Sequence, residues 1–314
     1  MYCVIIIKNS LMNKPRILVC VSFGPQSDAA LKYARKIAGV THDTISCLYV
    51  IEQPGYITGK FISKEIQQKI RREAEQKLST RVNAIYTRED PTSFEIIVTT
   101  GKVYRKILEK AADLHARLII MGRSDLSDLH KNVIGSNTAQ TVARAMLPVI
   151  TIRSSKYLAN EQLLLPLDLT KPTGLKLSRA MEIARLLQAK VMLYTMITPD
   201  GTGQEPMFRN RLKEIKQSFT GMGIPCNAHL SVSRERVTDG IISFAGKISA
   251  GLILIMTQQE THTTEMFIGS TAREVIKRSE IPVVSMIPQI EPPEFPDGTT
   301  SGNILKHEFI NDLT

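Results

Sequence analysis

The strongest constraint on this chain is that it resembles itself. Leu118 to Arg153 reads LIIMGRSDLSDLHKNVIGSNTAQTVARAMLPVITIR, and Leu252 to Pro288 reads LILIMTQQETHTTEMFIGSTAREVIKRSEIPVVSMIP. Each stretch opens on an apolar run and passes through a polar loop to I-G-S and T-A. Each then closes on a β-rich run after P-V. Gly135 lies 13 residues before Pro148, and Gly269 lies 13 before Pro282. A match this long within one chain means two copies of one unit. A length of 314 residues agrees with two domains. Each copy is long enough to bury its own core.

The first copy alternates strand and helix. Arg16–Val21 is a continuous apolar run, the pattern of a strand buried on both faces. A turn at 22–27 follows, with Ser27 or Asp28 placed to cap a helix over 29–38 whose Leu31, Ala34 and Ile37 share a face. Strands are expected at 44–51, 94–99, 117–121 and 148–152, and helices at 63–84, 103–114 and 137–145. The second copy repeats the course from Leu163, with strands at 163–167, 190–197, 226–232, 252–256 and 283–286. Its helices are expected at 175–187, 207–219 and 237–248. This order implies an α/β fold of two tandem doubly wound domains. Each is a five-stranded, mostly parallel sheet with helices on both faces and right-handed crossovers. The expected divisions are a leader over 1–14, domains over 15–153 and 162–288, a linker over 154–161 and a tail over 289–314.

Composition narrows the function classes. The chain is 43% hydrophobic and 22% charged, has no Trp, and carries a net charge of +10. Its positive residues are scattered and mostly sit beside acids, as in Lys69–Lys77, so a nucleic-acid surface is not expected. Cys3, Cys20, Cys47 and Cys226 lack C-x-x-C spacing and paired histidines; no metal site is expected, and Cys20 and Cys47 read as buried thiols. That usage fits a reducing cytoplasm. The apolar run Val4–Ile7 is too short to span a membrane and lacks the flanks of a signal peptide. No H-E-x-x-H, Walker loop or dinucleotide glycine motif occurs, and His115, His130 and His229 have no nucleophile at a telling spacing.

The glycine loop carries the chemistry. Ligands of open α/β sheets bind beyond the carboxyl ends of the strands, where Ser22, Val50 and the loop after the fourth strand converge. Gly122 lets the backbone turn closely there. Gly135 and Ser136 open a helix whose free N–H groups suit a phosphate, with Ser136 and Thr138 as hydroxyl donors and Arg123 as a cation. Gly122, two residues, Asp125, nine residues and then Gly135-Ser136 resembles the ATP-binding loop of universal stress proteins. That family's pattern has glycine where Asp125 stands. The resemblance covers about residues 15–153 and 161–288, so the chain looks like a tandem universal stress protein.

The resemblance implies an adenine nucleotide, ATP or a relative with Mg²⁺, as cofactor. It would place Val50 at adenine, Met121 and Gly122 near ribose and phosphates, and Gly135, Ser136 and the following Asn137 at phosphate. The family's Asp after the first strand is Ser22 here, and Asp125 sets a carboxylate where phosphate would approach. In the second copy Asp168, Gly269 and Ser270 are kept, while Thr257 replaces the first glycine and Glu260 stands near the second. Two readings follow. One is a cytoplasmic stress-response regulator, not an enzyme beyond weak ATP hydrolysis, with its degenerate nucleotide loop in the first domain. The alternative is a nucleotide-free scaffold acting through a protein partner such as a transporter or kinase. The resemblance also implies that the two domains pair as an intramolecular pseudo-dimer, with a homodimer of chains possible beyond it.

Overall fold

A computed structural model describes residues 15–52, 63–86, 92–123, 134–157, 160–257 and 268–287. The leader, the tail, Asp125, His130 and Glu260 lie outside the described residues. Contacts divide the chain into two compact units, Met1–Leu158 with Ser279–Val284, and Ala159–Arg278 with Ser285–Thr314.

The first unit runs β1 (Arg16–Cys20), α1 (Pro25–Thr41), β2 (Thr44–Glu52), α2 (Lys64–Asn83), β3 (Phe94–Gly101), α3 (Val103–Asp113), β4 (Ala116–Gly122), α4 (Ser136–Arg144) and β5 (Val149–Ile152). The strands lie in the order β3-β2-β1-β4-β5 and every neighbouring pair is parallel. The order reverses at β1, whose Cys20 is level with Leu48 of β2 and Met121 of β4. The turn after β1, the end of β2 and the loop after β4 therefore emerge together at one edge. Consecutive residues Ile17, Leu18 and Val19 are all fully buried, which requires cover on both faces of the sheet.

The second unit follows the same plan: β6 (Gln162–Pro166), α5 (Gly174–Leu186), β7 (Lys190–Ile197), a 3₁₀ turn (Pro199–Gln204), α6 (Glu205–Gly221), β8 (Cys226–Val232), α7 (Val237–Lys247), β9 (Leu252–Met256), α8 (Ser270–Arg278) and β10 (Val283–Met286). Its strand order is β10-β9-β6-β7-β8, again with the switch of direction at the first strand. The pairs β6–β7, β7–β8 and β6–β9 are parallel.

One local expectation is corrected. Helix α1 begins at Pro25, with Gly24 as its N-cap and no side-chain cap. Proline needs no N–H bond at the first helical position and brings a helical φ, so it starts the helix ahead of both residues expected to cap it. Ser27 is instead buried inside the first turn, where its Oγ accepts from the Ser22 N–H at 2.9 Å. Asp28 is held by Arg81 of α2. Cys47 is buried as expected, and Cys20 is half-buried; burial pushes both thiols up to about 12, so neither is a ready nucleophile.

Candidate functional site

In the first unit the candidate residues gather at the switch edge, but packing claims several of them. Ser22 is exposed, its Oγ 3.1 Å from that of Ser27. Val50 is half-buried at the end of β2. The Met121 side chain is in the core, 5% exposed, leaving only its backbone toward the edge. Gly122 has a sharp steric reason to be glycine: a Cβ there would stand 2.6 Å from the Gln26 carbonyl carbon, on the first turn of α1. Arg123, expected to offer a cation to phosphate, is 2% exposed. Its guanidinium donates to the Ser279 carbonyl at 3.4 Å, in the segment that groups with this unit. Thr138 is likewise buried and offers no hydroxyl to the edge. Gly135 is the N-cap of α4, Ser136 is its exposed first residue, and the carbonyl of half-buried Asn137 accepts from the Thr141 hydroxyl.

Helix α2 clamps the turn between β1 and α1. Phe23 sits in the left-handed region (φ 61°), with its ring 4.5 Å from that of Tyr49 and the Lys77 ammonium 4.6 Å above it. Arg81 donates to both carboxylate oxygens of Asp28, at 2.6 and 2.9 Å, and to the Gly24 carbonyl at 3.0 Å. An aromatic contact and a cation over the ring thus hold Phe23, while the forked ion pair ties Asp28, in the first turn of α1, to α2.

The second unit differs at the same edge. The turn is longer: α5 begins six residues after Asp168, where α1 begins three after Ser22. The place of Gly122 is taken by Thr257, which is 1% exposed and donates its hydroxyl to the Met286 carbonyl at 3.1 Å. A cavity of about 470 Å³ opens here, lined among others by Asp168, Lys176, Met196, Val237, Gly269 and Ser270. Its volume falls in the range of small-molecule sites, roughly 300–1,000 Å³. The walls are divided by chemistry. Met196, Ile197, Phe208, Val237 and Ile241 are apolar, while Asp168, Thr170, Lys176, Ser270 and Thr271 are polar. Gly269 donates its N–H to the Thr257 carbonyl, and its own carbonyl accepts from Arg273 as α8 begins. The N–H groups of the next residues have no partner within the helix, the usual condition of a helix start.

Charge in this cavity is uneven. Asp168 accepts from the Thr170 N–H at 3.1 Å and from the Thr170 hydroxyl at 2.5 Å, closing an Asx turn. Burial works against its charge. The Thr170 bonds and the Lys171 and Lys176 ammonium groups outweigh that and hold the carboxyl below its usual range. Burial pushes the Lys176 ammonium down to about 8, with Asp168 opposing the shift. Two ammonium groups beside one carboxylate suit an anion better than Mg²⁺, which favours carboxylate-rich sites. Among the described residues no group of three or more His, Cys, Asp or Glu side chains could share a metal ion.

The family described as the universal stress protein family matches residues 14–153 and again 160–285. The chain belongs to the universal stress protein family. It is a tandem member, with the family fold present twice. Among solved structures it is similar to a universal stress protein from Archaeoglobus fulgidus DSM 4304, with 18% identity and a TM-score of 0.68 over 88% of this chain and 100% of that one. A putative universal stress protein from Pseudomonas aeruginosa UCBPP-PA14 shows 18% identity and a TM-score of 0.63 over 89% of this chain and 95% of that one. A functionally unknown protein from Pseudomonas aeruginosa PAO1 shows 19% identity and a TM-score of 0.61. No curated protein matches the chain. No helix among the described residues is long and apolar enough to cross a membrane.

In this universal stress protein the structure brings Asp168, Gly269 and Ser270 into one cavity, together with Met196, which lies near the end of β7 as Val50 lies near the end of β2. The residue that pattern reading missed is Lys176. A signal for it did exist. It stands in the first turn of α5, which carries no acid, and a cation at a helix N-terminus opposes the macrodipole. A residue placed against local electrostatics is a candidate for a role outside the fold.

Proposed function

We propose that this universal stress protein is a regulatory module that takes up an adenine nucleotide, and that the competent site lies in the second unit. The observation that carries this reading is the cavity of about 470 Å³, lined both by apolar side chains and by the start of α8. The base fits against Met196, Val237 and Ile241. The phosphates fit at Ser270 and Thr271, where N–H groups without a partner inside the helix and the helix dipole favour an anion. This reading assigns the nucleotide to the second domain, where the described residues line a cavity, although the glycine spacing of the first is closer to the family pattern. Ser22, Val50 and Gly135-Ser136 become a framework inherited with the fold.

The test is calorimetric titration of the full chain with AMP and ATP, repeated on Val237→Trp and Gly135→Val. Val237 lines the cavity yet is 51% exposed, so an indole there fills the base position without entering the core. Binding should be lost in V237W at an unchanged melting temperature and kept in G135V. At 100 times its Kd, nucleotide should add about 2.7 kcal/mol to the stability of the wild type. Binding that survives V237W and disappears in G135V would return the site to the first unit. No heat and no stabilisation with either nucleotide would end the nucleotide reading.

A further inference from the structure

We infer that Lys176 is an anion-binding residue: its ammonium, with the start of α8, takes a phosphate group in the cavity of the second unit, without a metal ion. The inference shares the site of the proposed nucleotide function but does not need the base, because it concerns only the charged end of the ligand.

Three observations converge on Lys176. It is among the residues that line the cavity, beside Asp168, Ser270 and Thr271. Among the described residues it makes no hydrogen bond and no ion pair within 4 Å; only the field of Asp168 reaches it. It also stands in the first turn of α5, where the helix dipole repels a cation. A desolvated ammonium with no hydrogen-bond acceptor is a cost to the fold, and such groups normally find a partner or lose their charge. Burial has already moved this group toward losing its charge. Asp168 does not supply the missing acceptor, since its Oδ1 is engaged by Thr170 and its Oδ2 lies 3.7 Å from the Lys171 ammonium.

A phosphate monoester or diphosphate answers each deficit. Its oxygens accept from the ammonium, its negative charge favours the protonated form, and its remaining oxygens face the Ser270 and Thr271 N–H groups, which have no partner inside the helix. Asp168 at the rim, itself only half enclosed, then limits how much negative charge is accepted. The Lys176 ammonium and the start of α8 supply the countercharge that magnesium gives elsewhere, so uptake should not require the metal.

The probe is inorganic pyrophosphate in metal-free buffer, titrated into the full chain and into Lys176→Met and Lys176→Arg, with adenosine as a separate titrant. The wild type should bind pyrophosphate. K176M should bind it about tenfold more weakly or worse, the loss expected for one charge-assisted hydrogen bond. K176R keeps the charge and should stay within about threefold of the wild type, while adenosine affinity should be the same in all three. Equal pyrophosphate affinity in wild type and K176M, or none in the wild type, overturns the role of Lys176. If pyrophosphate behaves as expected and adenosine does not bind, the anion site stands and the adenine reading falls. A melting curve for each variant shows that it is folded; K176M is expected to melt no lower than the wild type.

Discussion

The two units share a strand order and a switch point, yet they use the turn after the first strand in opposite ways. In the first unit the turn is short, α1 starts at Pro25, and the helix presses so close to β4 that only glycine fits at position 122. Arg81 and Lys77 then hold the turn from above. In the second unit the turn is longer, Thr257 stands where glycine would allow that approach, and the space becomes a cavity. Even the charges in the first helical turns are reversed. Asp28 suits the dipole of α1 and is paired, whereas Lys176 opposes the dipole of α5 and has no hydrogen-bond partner among the described residues. Among the described residues, one copy packs its turn closely and the other lines a cavity. Motif spacing does not distinguish them, because the glycine pattern marks the fold in both.

The largest effect that would break this contrast is at Gly122. Gly122→Ala should destabilise the first unit by about 3 kcal/mol, since the methyl group meets backbone, which cannot swing aside. A loss below about 1 kcal/mol in chemical denaturation would show that α1 is not pressed on β4. Next is Lys176→Met, which should stabilise the protein near pH 7. The shift from 10.5 to about 8 sets a ceiling of about 3 kcal/mol, and partial enclosure reduces the expectation to about 2. The sign follows from linkage. The folded chain holds this proton less tightly than the unfolded chain, so wild-type stability rises between about pH 8 and 10.5 and the advantage of K176M fades across that window. A K176M protein less stable than the wild type at pH 7 would place Lys176 among the fold's own contacts.

Smaller effects separate the clamps. Arg81→Ala removes a forked pair with Asp28 and a bond to Gly24, and should cost about 1–1.5 kcal/mol. Arg211→Ala removes a single bond to the Leu169 carbonyl in the second unit and should cost about 0.5–1 kcal/mol. If R211A proved the costlier, the longer turn would be the more tightly held. The smallest effect is at Gly269, where among the described residues an added Cβ meets the Thr257 carbonyl at 3.5 Å, an ordinary contact. Gly269→Ala should change stability by less than about 0.5 kcal/mol and can therefore report on ligand binding alone.

Much of the fold could be read from the sequence. The strands expected at 190–197, 226–232, 252–256 and 283–286 are the strands observed, because apolar β-rich runs bounded by polar residues leave little alternative. The start of α1 is less legible, because Ser27 and Asp28 are good capping residues while the proline that begins the helix stands just ahead of them. The cavity was not legible. It depends on the few extra residues before α5 and on what a side chain at 257 does to helix approach, both of which act through space. Arg123 shows the opposite limit: a basic residue beside a phosphate-type loop invites a role at the ligand, and only its burial reveals that the guanidinium faces inward. Lys176 could have been found by asking which charge sits at the wrong end of a helix.

Hydrogen–deuterium exchange of the full chain with and without saturating AMP tests most directly whether the second unit is the ligand-binding copy. Protection is expected over 167–177 and 268–273, around Asp168, Lys176 and the start of α8, with exchange over 21–28 and 134–139 unchanged. Protection confined to 21–28 and 134–139, around Ser22 and Gly135-Ser136, would contradict it.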